Sequence, residues 1–528
     1  MPMRLSGMIS GMDTEAVVGQ LMSAQSLKKK KVSGAKTKLE WKQDAWKELN
    51  KKLTSLYNNS VSKLRLPSSY NLKKATLSDS SKATITADAG AVIGNYSMEV
   101  KDIASAQFLT SAKTSVTSTS QKLSELGTTD ENGINDMIGK TVTFTGKSGT
   151  KTLTIDENTT VDDFLKTARS AGINANYDTT QKKFFFSSKE TGSDNAFSIT
   201  DGIGDADGGV LKKLGLDDVQ ATTDAKGAVS YSIGGGDKLE DSNYTDPNTG
   251  MALVGAKDSR IILNGAELTS SSSVVSANGL NISLVSKTKP DEPVSFSVSN
   301  DVDAVYDNIK KALSEYNEVM KEMHTLYNAA SSKGYEPLTS EEKRELSEDE
   351  VEEWEKKIKD SLFRRDSTLQ GIMSGMRDSL MSTTTVNGKM YSLSSFGIMT
   401  SKNYQEGGLL HIFGDEDDEE YSGEADKLKK ALMENPDDTI SALTDIFENL
   451  RSTMFNKMKS TEYSSSLTFY NDKQIDKDLA NYKTELKEWD DKLAAMEDAY
   501  FKKFAAMESA MAKLQAQQSS LGSLLGMG

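Results

Sequence analysis

Apolar side chains recur with a helical period at both ends of the chain. Near the N-terminus one register alternates steps of three and four residues through Val18, Leu21, Gln25, Lys28, Val32, Ala35, Leu39, Lys42, Trp46, Leu49, Leu53 and Leu56. This alternation is the repeat of a coiled-coil seam. Polar residues occupy part of the seam, and Gly34 lies in mid-helix at a cost of about 1 kcal/mol. We therefore predict a soft seam, in a helix that Pro67 ends.

The second register, near the C-terminus, is more strongly apolar. Its positions are all apolar or aromatic: Ile475, Leu479, Tyr482, Leu486, Trp489, Leu493, Met496, Tyr500, Phe504, Met507, Met511 and Leu514. Neither helix has a partner nearby in sequence, and a long apolar seam is not stable alone in water. The pattern predicts that the two termini pair with each other or with neighbouring subunits.

Between residues 75 and 300 apolar and polar residues alternate with period two, which is typical of half-buried antiparallel strands. Asn264-Gly265 and Asn278-Gly279 are hairpin-turn signals within this block. One helix is predicted at 161–171, with strands at 173–177 and 183–187. Helix returns at 301–325 and 340–380, and the acidic run at 415–420 is predicted to be a loop.

Composition removes most enzyme chemistry. The 528 residues predict about three to five domains. The chain has no Cys, which excludes disulfides, thiol nucleophiles and Cys-ligated metals. Its two histidines, His324 and His411, make a His-based triad or a multi-His metal centre improbable, and no carboxylate pair stands out. We predict that the chain is not an enzyme and holds neither metal nor cofactor.

Charge is distributed unevenly. Residues 1–75 carry a net charge of +10, which leaves −25 for the remainder of a chain whose total is −15. A basic arm with the cluster Lys28–Lys31 could bind nucleic acid or an anionic membrane. No aromatic or Arg residue interrupts that cluster, so we interpret it as a solvated helix face. No nucleic-acid binding and no membrane insertion are expected.

Two segments resemble ligand-binding motifs, but each lacks a required residue. Gly146-Lys147-Ser148 resembles the end of a phosphate-binding loop, but Thr141 stands where that motif needs Gly. Asp205–Gly209 begins like a calcium loop, but Leu216 occupies the position of the bidentate Glu. The N-terminus lacks the features of a cleaved signal peptide, and no apolar run is long enough to span a membrane. Composition alone would indicate the cytoplasm, but a protein exported without a cleaved signal would look the same.

Several motifs, in a consistent order, resemble one family. They are Leu5-Ser6-Gly7-Met8-Ile9-Ser10-Gly11-Met12-Asp13-Thr14, then Leu39–Trp46, Gly94–Val100, Val161–Tyr177 with Ser187–Ser193, Tyr316-Asn317, Tyr335–Thr339 leading to Trp354, Phe396-Gly397-Ile398 and Leu514–Leu521. Together they resemble the flagellar filament cap proteins, the hook-associated protein 2 family. The N-terminal family motif comprises Ser10, Gly11, Met12, Asp13 and Thr14.

The resemblance implies a multidomain α+β fold, with a coiled-coil leg formed by both termini, a helix-rich mixed body and nested β-rich heads. We place the leg at 1–45 and 470–528 and the body at 46–74 and 301–469. The first head is placed at 75–112 and 250–300, and the second, a flagellin-type insert, at 113–249.

The same resemblance implies a structural role at the distal tip of the bacterial flagellum. Subunits of the family form a homo-oligomeric ring that promotes ordered insertion and folding of flagellin. The chain would be secreted through the flagellar type III apparatus without a cleaved signal peptide. Its expected partners are itself, flagellin, the hook–filament junction proteins, and the export apparatus with its chaperone.

We expect the surface of the leg that meets the filament to contain Leu39, Trp46, Leu49, Leu53, Leu479, Tyr482, Leu486, Trp489, Leu493, Met496 and Leu514. In this hypothesis Leu39, Trp46, Leu49 and Leu53 meet the residues from Leu479 to Leu493 across the leg.

Other functions remain open. The Ser/Thr/Asn-rich head at 113–249 could be an adhesin for mucin or another host glycan, which would need exposed aromatic side chains. Phe184 and Phe186 share one face and are expected to be core. A junction protein or a flagellin would also have helical termini, but neither explains the segment from Glu336 to Trp354.

Overall fold

The computed structural model describes residues 11–202, 209–224, 228–239, 242–401 and 406–524. The chain folds into two compact units. The first contains the residues up to Tyr70 and those from Val302 onward, and the second contains Asn71–Asp301. Helices and antiparallel sheets together confirm the multidomain α+β class. The finer division into four domains stays a prediction.

The first unit is mainly helical. Numbered in chain order over the whole molecule, its helices are α1 Thr14–Leu56, α2 Ser62–Leu64, α5 Val302–Tyr327, α6 Ser340–Arg344, α7 Glu348–Asp360, α8 Ser367–Leu380, α9 Lys427–Glu434, α10 Pro436–Lys457 and α11 Asp472–Leu524. A π-helical turn at Tyr57–Val61 joins α1 to α2, and the helical path ends before Pro67 as predicted. Two hairpins complete the unit: β19 Thr384–Val386 with β20 Lys389–Tyr391, and β21 Ile398–Thr400 with β22 Leu410–Ile412.

The helix predicted over 340–380 is three helices. Each restarts at a side chain that caps it: Thr339 begins α6, Ser347 begins α7 and Asp366 begins α8 by accepting a hydrogen bond from a backbone N–H three residues later. Such caps satisfy N–H groups that a helix start leaves without partners.

The second unit is mainly β. Its strands are β1 Lys73–Leu77, β2 Ala83–Ala87, β3 Gly94–Asp102, β4 Phe108–Thr110, β5 Thr141–Gly146, β6 Gly149–Thr154, β7 Ile173–Asp178, β8 Lys183–Ser188, β9 Ser198–Asp201, β10 Val219–Thr223, β11 Val229–Ile233, β12 Asn243–Thr245, β13 Ala252–Val254, β14 Ser259–Leu263, β15 Ala266–Ser270, β16 Val274–Ala277, β17 Leu280–Leu284 and β18 Val294–Asn300. Two helices accompany them, α3 Val161–Ser170 and α4 Val210–Lys213.

These strands form four antiparallel sheets, in the orders β1-β18-β3-β14-β15, β11-β10-β9-β5-β6, β12-β13-β4-β8-β7 and β16-β17-β2. The predicted strands at 173–177 and 183–187 are confirmed. Both Asn-Gly pairs form two-residue hairpins, and all four of their residues have positive φ, as the turn that matches strand twist requires.

Two hydrophobic cores stabilise the second unit. In one, Phe144 and Phe184 pack edge-to-face on Phe164 of α3, with ring centroids 5.1 and 5.8 Å away. In the other, Tyr96 stacks on Phe296 at 4.9 Å. Gly146-Lys147-Ser148 is the tight turn between β5 and β6, which confirms its rejection as a phosphate loop.

Candidate functional site: the paired terminal helices

Helices α1 and α11 pack against each other in antiparallel directions. Lys29 forms an ion pair with Asp490, and further along Gln43 Nε2 donates to Asp476 Oδ1 at 2.6 Å. Residue numbers therefore increase along α1 in the direction in which they decrease along α11. The predicted association of the two chain ends is thus present within one molecule, because residues far apart in sequence lie side by side.

Asp13 fixes the start of α1. Its Oδ1 accepts a hydrogen bond from the backbone N–H of Ala16 at 3.0 Å, and Thr14 is the first helical residue. Gly11 has a φ of +66°, a conformation that glycine adopts without strain. Ser10 of the same motif lies outside the described residues. The sequence signal for this role was an acidic residue directly before a helix, which is a typical N-cap.

The register of the pair brings Leu39 close to Leu479, which is buried. Tyr482, Leu486 and Trp489 follow along α11 and are only half-buried, because α1 presents small or charged residues at the corresponding levels. The ammonium of Lys28 lies 6.0 Å from the centre of the Trp489 ring. Apolar side chains of α11 are thus covered incompletely along this stretch.

The same incomplete cover continues toward the end of α11. Leu493 and Met496 are half-buried, and Leu514 is 64 % exposed.

Trp46 lies in the core of the first unit, and this corrects part of the proposed leg surface. Its ring packs edge-to-face on Phe363 at 4.8 Å and stacks on Tyr470 at 5.4 Å. Leu49 and Leu53 are also fully buried. The register places all three before or at the start of α11, so they do not meet the residues from Tyr482 to Leu493. Burial raises the pKa of the Tyr470 hydroxyl, and nearby carboxylates act in the same direction.

Lysines on α1 pair with carboxylates elsewhere in the first unit. Three pairs link α1 to residues between α5 and α8, namely Lys30 with Glu342, Lys38 with Glu336 at 2.6 Å and Lys42 with Asp366 at 2.7 Å. A hydrogen bond from the Lys30 ammonium, with a second from the Thr339 backbone, lowers the pKa of Glu342. The Lys30 side chain remains 40 % exposed, so it lies on a solvated face as predicted, and its ammonium also pairs with Glu342.

Residues 335–342, which we call the clasp segment, hold the middle of α1. Pro337 covers the buried Gly34, and the Trp354 indole N–H donates to the Glu336 carbonyl at 2.9 Å. Tyr335 packs edge-to-face on Trp354 at 4.6 Å. The helix-interior cost expected for Gly34 remains, because a Cβ at this position would lie 3.5 Å from Pro337 Cδ, so the approach of the clasp segment does not require glycine.

No metal-binding group is found among the described residues: none of their His, Asp and Glu side chains forms a cluster of three or more with suitable geometry. His411 lies between Asp418 at 2.7 Å and Glu406 at 3.2 Å, at the edge of the core of the first unit. The rejected calcium-like sequence at 205–209 falls almost entirely outside the described residues. Within the described part of the chain, each helix is too short or too polar to cross a membrane.

We expect Gly34→Ala to stabilise α1. A methyl group at this position would lie 3.5 Å from Pro337 Cδ, an ordinary contact distance, and alanine is favoured over glycine in helix interiors by about 1 kcal/mol. Urea unfolding followed by the helical circular-dichroism signal measures the change. Gly34→Leu is the matched control, because its longer side chain displaces Pro337 and should destabilise. A loss of stability in Gly34→Ala would contradict the described contact.

We expect Trp46→Ala to destabilise the first unit by about 3–5 kcal/mol, the usual cost of removing a buried Trp. Trp489→Ala should cost less than about half as much, because the Trp489 side chain is only half-buried. Urea titration of both variants measures the difference. Equal losses would contradict the assignment of Trp46 to the core.

Comparison with known proteins identifies the family. Residues 10–107 match the model described as flagellar hook-associated protein 2 N-terminus, and residues 256–516 match flagellar hook-associated protein 2 C-terminus. Flagellar hook-associated protein 2 of Halalkalibacterium halodurans is 28% identical, over 98% of this chain and 99% of that protein. The Campylobacter jejuni protein of the same name is 23% identical, over 85% of this chain and 65% of its own length.

Among solved structures, the D1-D2-D3 domains of the flagellar cap protein FliD from Escherichia coli cover 78% of this chain and 96% of that chain, at 18% identity and a TM-score of 0.48. A score of this size does not establish a common fold, so the assignment rests on the sequence matches. Because the two matched segments span most of its length, the chain belongs to the flagellar hook-associated protein 2 family.

Proposed function

We propose that this protein caps the bacterial flagellar filament, forming a ring-shaped homo-oligomer at the distal tip that promotes ordered insertion and folding of exported flagellin. Its role is structural, without catalysis, metal or cofactor. In this proposal the chain is secreted through the flagellar type III apparatus without a cleaved signal peptide. Its partners are further copies of itself, flagellin, the hook–filament junction proteins, and the export apparatus with its chaperone.

The observation that carries the proposal is the incompletely covered apolar surface of α11. Tyr482, Leu486 and Trp489 remain half-exposed although α1 lies beside them. Burying apolar surface contributes roughly 25 cal/mol per Å², so a contiguous stripe of this kind favours association with another surface. The leg residues Leu493, Met496 and Leu514 extend the stripe toward the end of the helix.

Anchorage of α1 differs between its two ends. Trp46, Leu49 and Leu53 are fixed in the core of the first unit, whereas toward the N-terminus Val18 is buried but Leu21 and Leu27 are exposed. A leg that is rigid at its base and apolar at its free end suits a subunit that holds a ring together while contacting a growing filament. Leu39 lies between the core-anchored part of α1 and its more exposed N-terminal part, and it is half-buried.

Electron microscopy of the purified protein, alone and with filaments, tests the proposal. We expect closed rings, and extra density at one end of each filament. Monomers in solution together with bare filament ends would contradict it.

We expect Leu486→Asp to abolish filament growth while the protein still folds. The substituted carboxylate would lie where the seam meets a partner, and burying an unpaired charge is costly. Swimming motility and filament length in a cap-deficient strain complemented with the variant measure the effect. Thr484→Asp adds the same charge to an exposed position of α11 and is the matched control. Normal filaments in Leu486→Asp would contradict a role of this surface in the leg.

A second candidate function is adhesion to host glycans, and one observation favours it. On the sheet β12-β13-β4-β8-β7, Phe108 is 50 % exposed and Phe185 40 % exposed. Phe108 pairs with Ser187 and Thr110 pairs with Phe185, so the two rings lie diagonally on one face. Phe184 and Phe186 are core, as predicted. Exposed rings beside hydroxyl groups are able to stack on the apolar face of a sugar.

We expect, under this alternative, that the double variant Phe108→Ser/Phe185→Ser loses at least about tenfold in affinity for immobilised mucin, because two stacking contacts of ~1 kcal/mol each are removed. Surface plasmon resonance with the full-length protein measures this. The exposed Val274→Ser, on a different sheet, is the control. Absence of mucin binding by the unsubstituted protein would remove the adhesin alternative and leave the capping proposal untouched.

A further inference from the structure

Four asparagine residues of the chain are each followed by glycine, at Asn132-Gly133, Asn264-Gly265, Asn278-Gly279 and Asn387-Gly388. Such a pair is chemically labile, because asparagine is a heat-sensitive residue and glycine has no side chain to hinder a reaction at its nitrogen. In this reaction the glycine backbone nitrogen attacks the side-chain carbonyl carbon of the asparagine and displaces ammonia. The fold controls the rate, because it determines how easily the two atoms come together.

Three of the four pairs are held in two-residue hairpins. The hairpins of Asn264, Asn278 and Asn387 connect β14 to β15, β16 to β17 and β19 to β20. In each of them the asparagine and the glycine both have positive φ, which is the geometry of a tight turn between paired strands. The attack needs the asparagine backbone to rotate out of this geometry, and the hydrogen-bonded strands on both sides oppose the rotation.

Side-chain hydrogen bonds add a second restraint to two of these hairpins. Asn264 Oδ1 accepts a hydrogen bond from the Ser97 backbone N–H at 2.8 Å. Asn387 Nδ2 donates to Asp438 Oδ1 at 2.7 Å. Each of these bonds holds the asparagine amide group in place, so the bond has to break before the amide can turn toward the following nitrogen.

The third hairpin is restrained at its glycine instead. The Gly279 carbonyl accepts a hydrogen bond from the Asp88 backbone N–H at 2.8 Å. A Cβ built on Gly279 would lie 2.7 Å from the Ala91 nitrogen, so a neighbouring loop packs closely against this residue. Rotation of the Asn278 backbone would therefore disturb a tertiary contact.

The pair Asn132-Gly133 lacks these restraints. Both residues are exposed, and a Cβ built on Gly133 would meet no atom within 4 Å. An isolated bridge between Thr129 and Asn135 closes the turn, where the other three pairs have strand ladders. Among the residues that the structure describes, none forms a hydrogen bond with the Asn132 side-chain amide.

The hydrogen bonds that do hold this turn converge on Asp130. Its Oδ1 accepts from the backbone N–H groups of Asn132 and Ile134 at 2.9 and 2.8 Å, and its carbonyl accepts from the Gly133 N–H at 3.0 Å. The bond to Gly133 has to open before that nitrogen can react. Exposed turns with few buried contacts open at a small cost in free energy.

We propose that Asn132 is a site of spontaneous deamidation and that it reacts before the other three asparagines. The Gly133 nitrogen bonds to Asn132 Cγ and gives up its proton. The bond from Cγ to Nδ2 breaks, and the amide group leaves with that proton as ammonia, so that a five-membered succinimide remains. Water then opens the ring at one of its two carbonyl carbons and leaves aspartate or isoaspartate. Water is the only co-reactant.

The product changes the turn in two ways. It adds a negative charge directly after Asp130 and Glu131, where like charges repel. Isoaspartate also inserts one more methylene group into the main chain of the turn. Ile134, which is 65 % exposed, lies two positions further on, so the reaction shifts an apolar side chain on the surface of the second unit. This inference does not depend on the capping function.

Peptide mapping by mass spectrometry tests the proposal. The full-length folded protein is incubated in warm, mildly alkaline buffer, and digests taken over time locate each conversion of amide to acid. We expect Asn132 to react at least about fivefold faster than Asn264, Asn278 or Asn387, because its turn opens most easily. In urea the restraints are absent, and we expect the four rates to agree within about twofold.

Two kinds of result would overturn the proposal. One is a folded protein in which another of the four pairs reacts as fast as Asn132, or in which Asn132 stays intact while the protein in urea reacts. The other is the same order of rates in urea as in the folded protein, because the order would then come from the sequence and not from the fold.

Two variants test the role assigned to the hydrogen bonds. Asp130→Ala removes the carboxylate that accepts two backbone N–H groups, so the reaction at Asn132 should accelerate by about threefold or more. Asp438→Ala is the matched control, because it frees the Asn387 amide and should accelerate the reaction at Asn387 without changing the rate at Asn132. An unchanged rate at Asn132 in Asp130→Ala would contradict the description of the turn.

Discussion

Antiparallel packing of the two terminal helices is the constraint on which the rest of the architecture depends. Gln43 and Asp476 are hydrogen-bonded although they are 433 positions apart in sequence. Everything between α1 and α11 is therefore a closed loop, and the entropy of closing it grows only slowly with its length. This explains why a large β-rich unit can be inserted at residues 71–301 without affecting the helix pair. It also means that the pair forms only when both ends of the chain are available.

The apolar side chains of the helix pair are fully buried at one end of the pair and only partly buried further along it. At its base, Trp46 is enclosed by Phe363 and Tyr470, as in any protein core. Further along, the apolar side chains of α11 face the serine- and lysine-rich part of α1 and remain half-covered. The base therefore contributes stability, whereas the exposed part keeps apolar surface available for association. If the seam were apolar on both helices, its side chains would bury each other within one molecule. Little apolar surface would then remain for contact with a neighbouring molecule.

Periodicity predicted the elements well but not their partners. The heptad pattern predicted both long helices, and the Asn-Gly pairs predicted two hairpins, because these signals depend only on residues that are close in sequence. The surface that covers a seam is not determined locally: Trp46 occupies the same heptad position as Leu39, one repeat later, yet it packs on the rings of Phe363 and Tyr470. The charge pattern likewise did not predict which residues form ion pairs. The sequence predicts a solvated Lys30 and does not reveal its partner Glu342, because Glu342 lies more than 300 positions away. The caps at Ser347 and Asp366 are local signals too, because both are residue types favoured at helix starts.

The contact between Gly34 and Pro337 has a mechanical consequence. Ion pairs of Lys30 and Lys38 flank it about one turn away on either side, so the clasp segment supports α1 at a fulcrum. From Thr14 to Lys30 the helix forms a lever arm of about 24 Å. Because the flanking pairs are partly exposed to solvent, dissolved salt weakens them. The stiffness with which α1 is held is therefore coupled to the ionic strength of the surrounding medium.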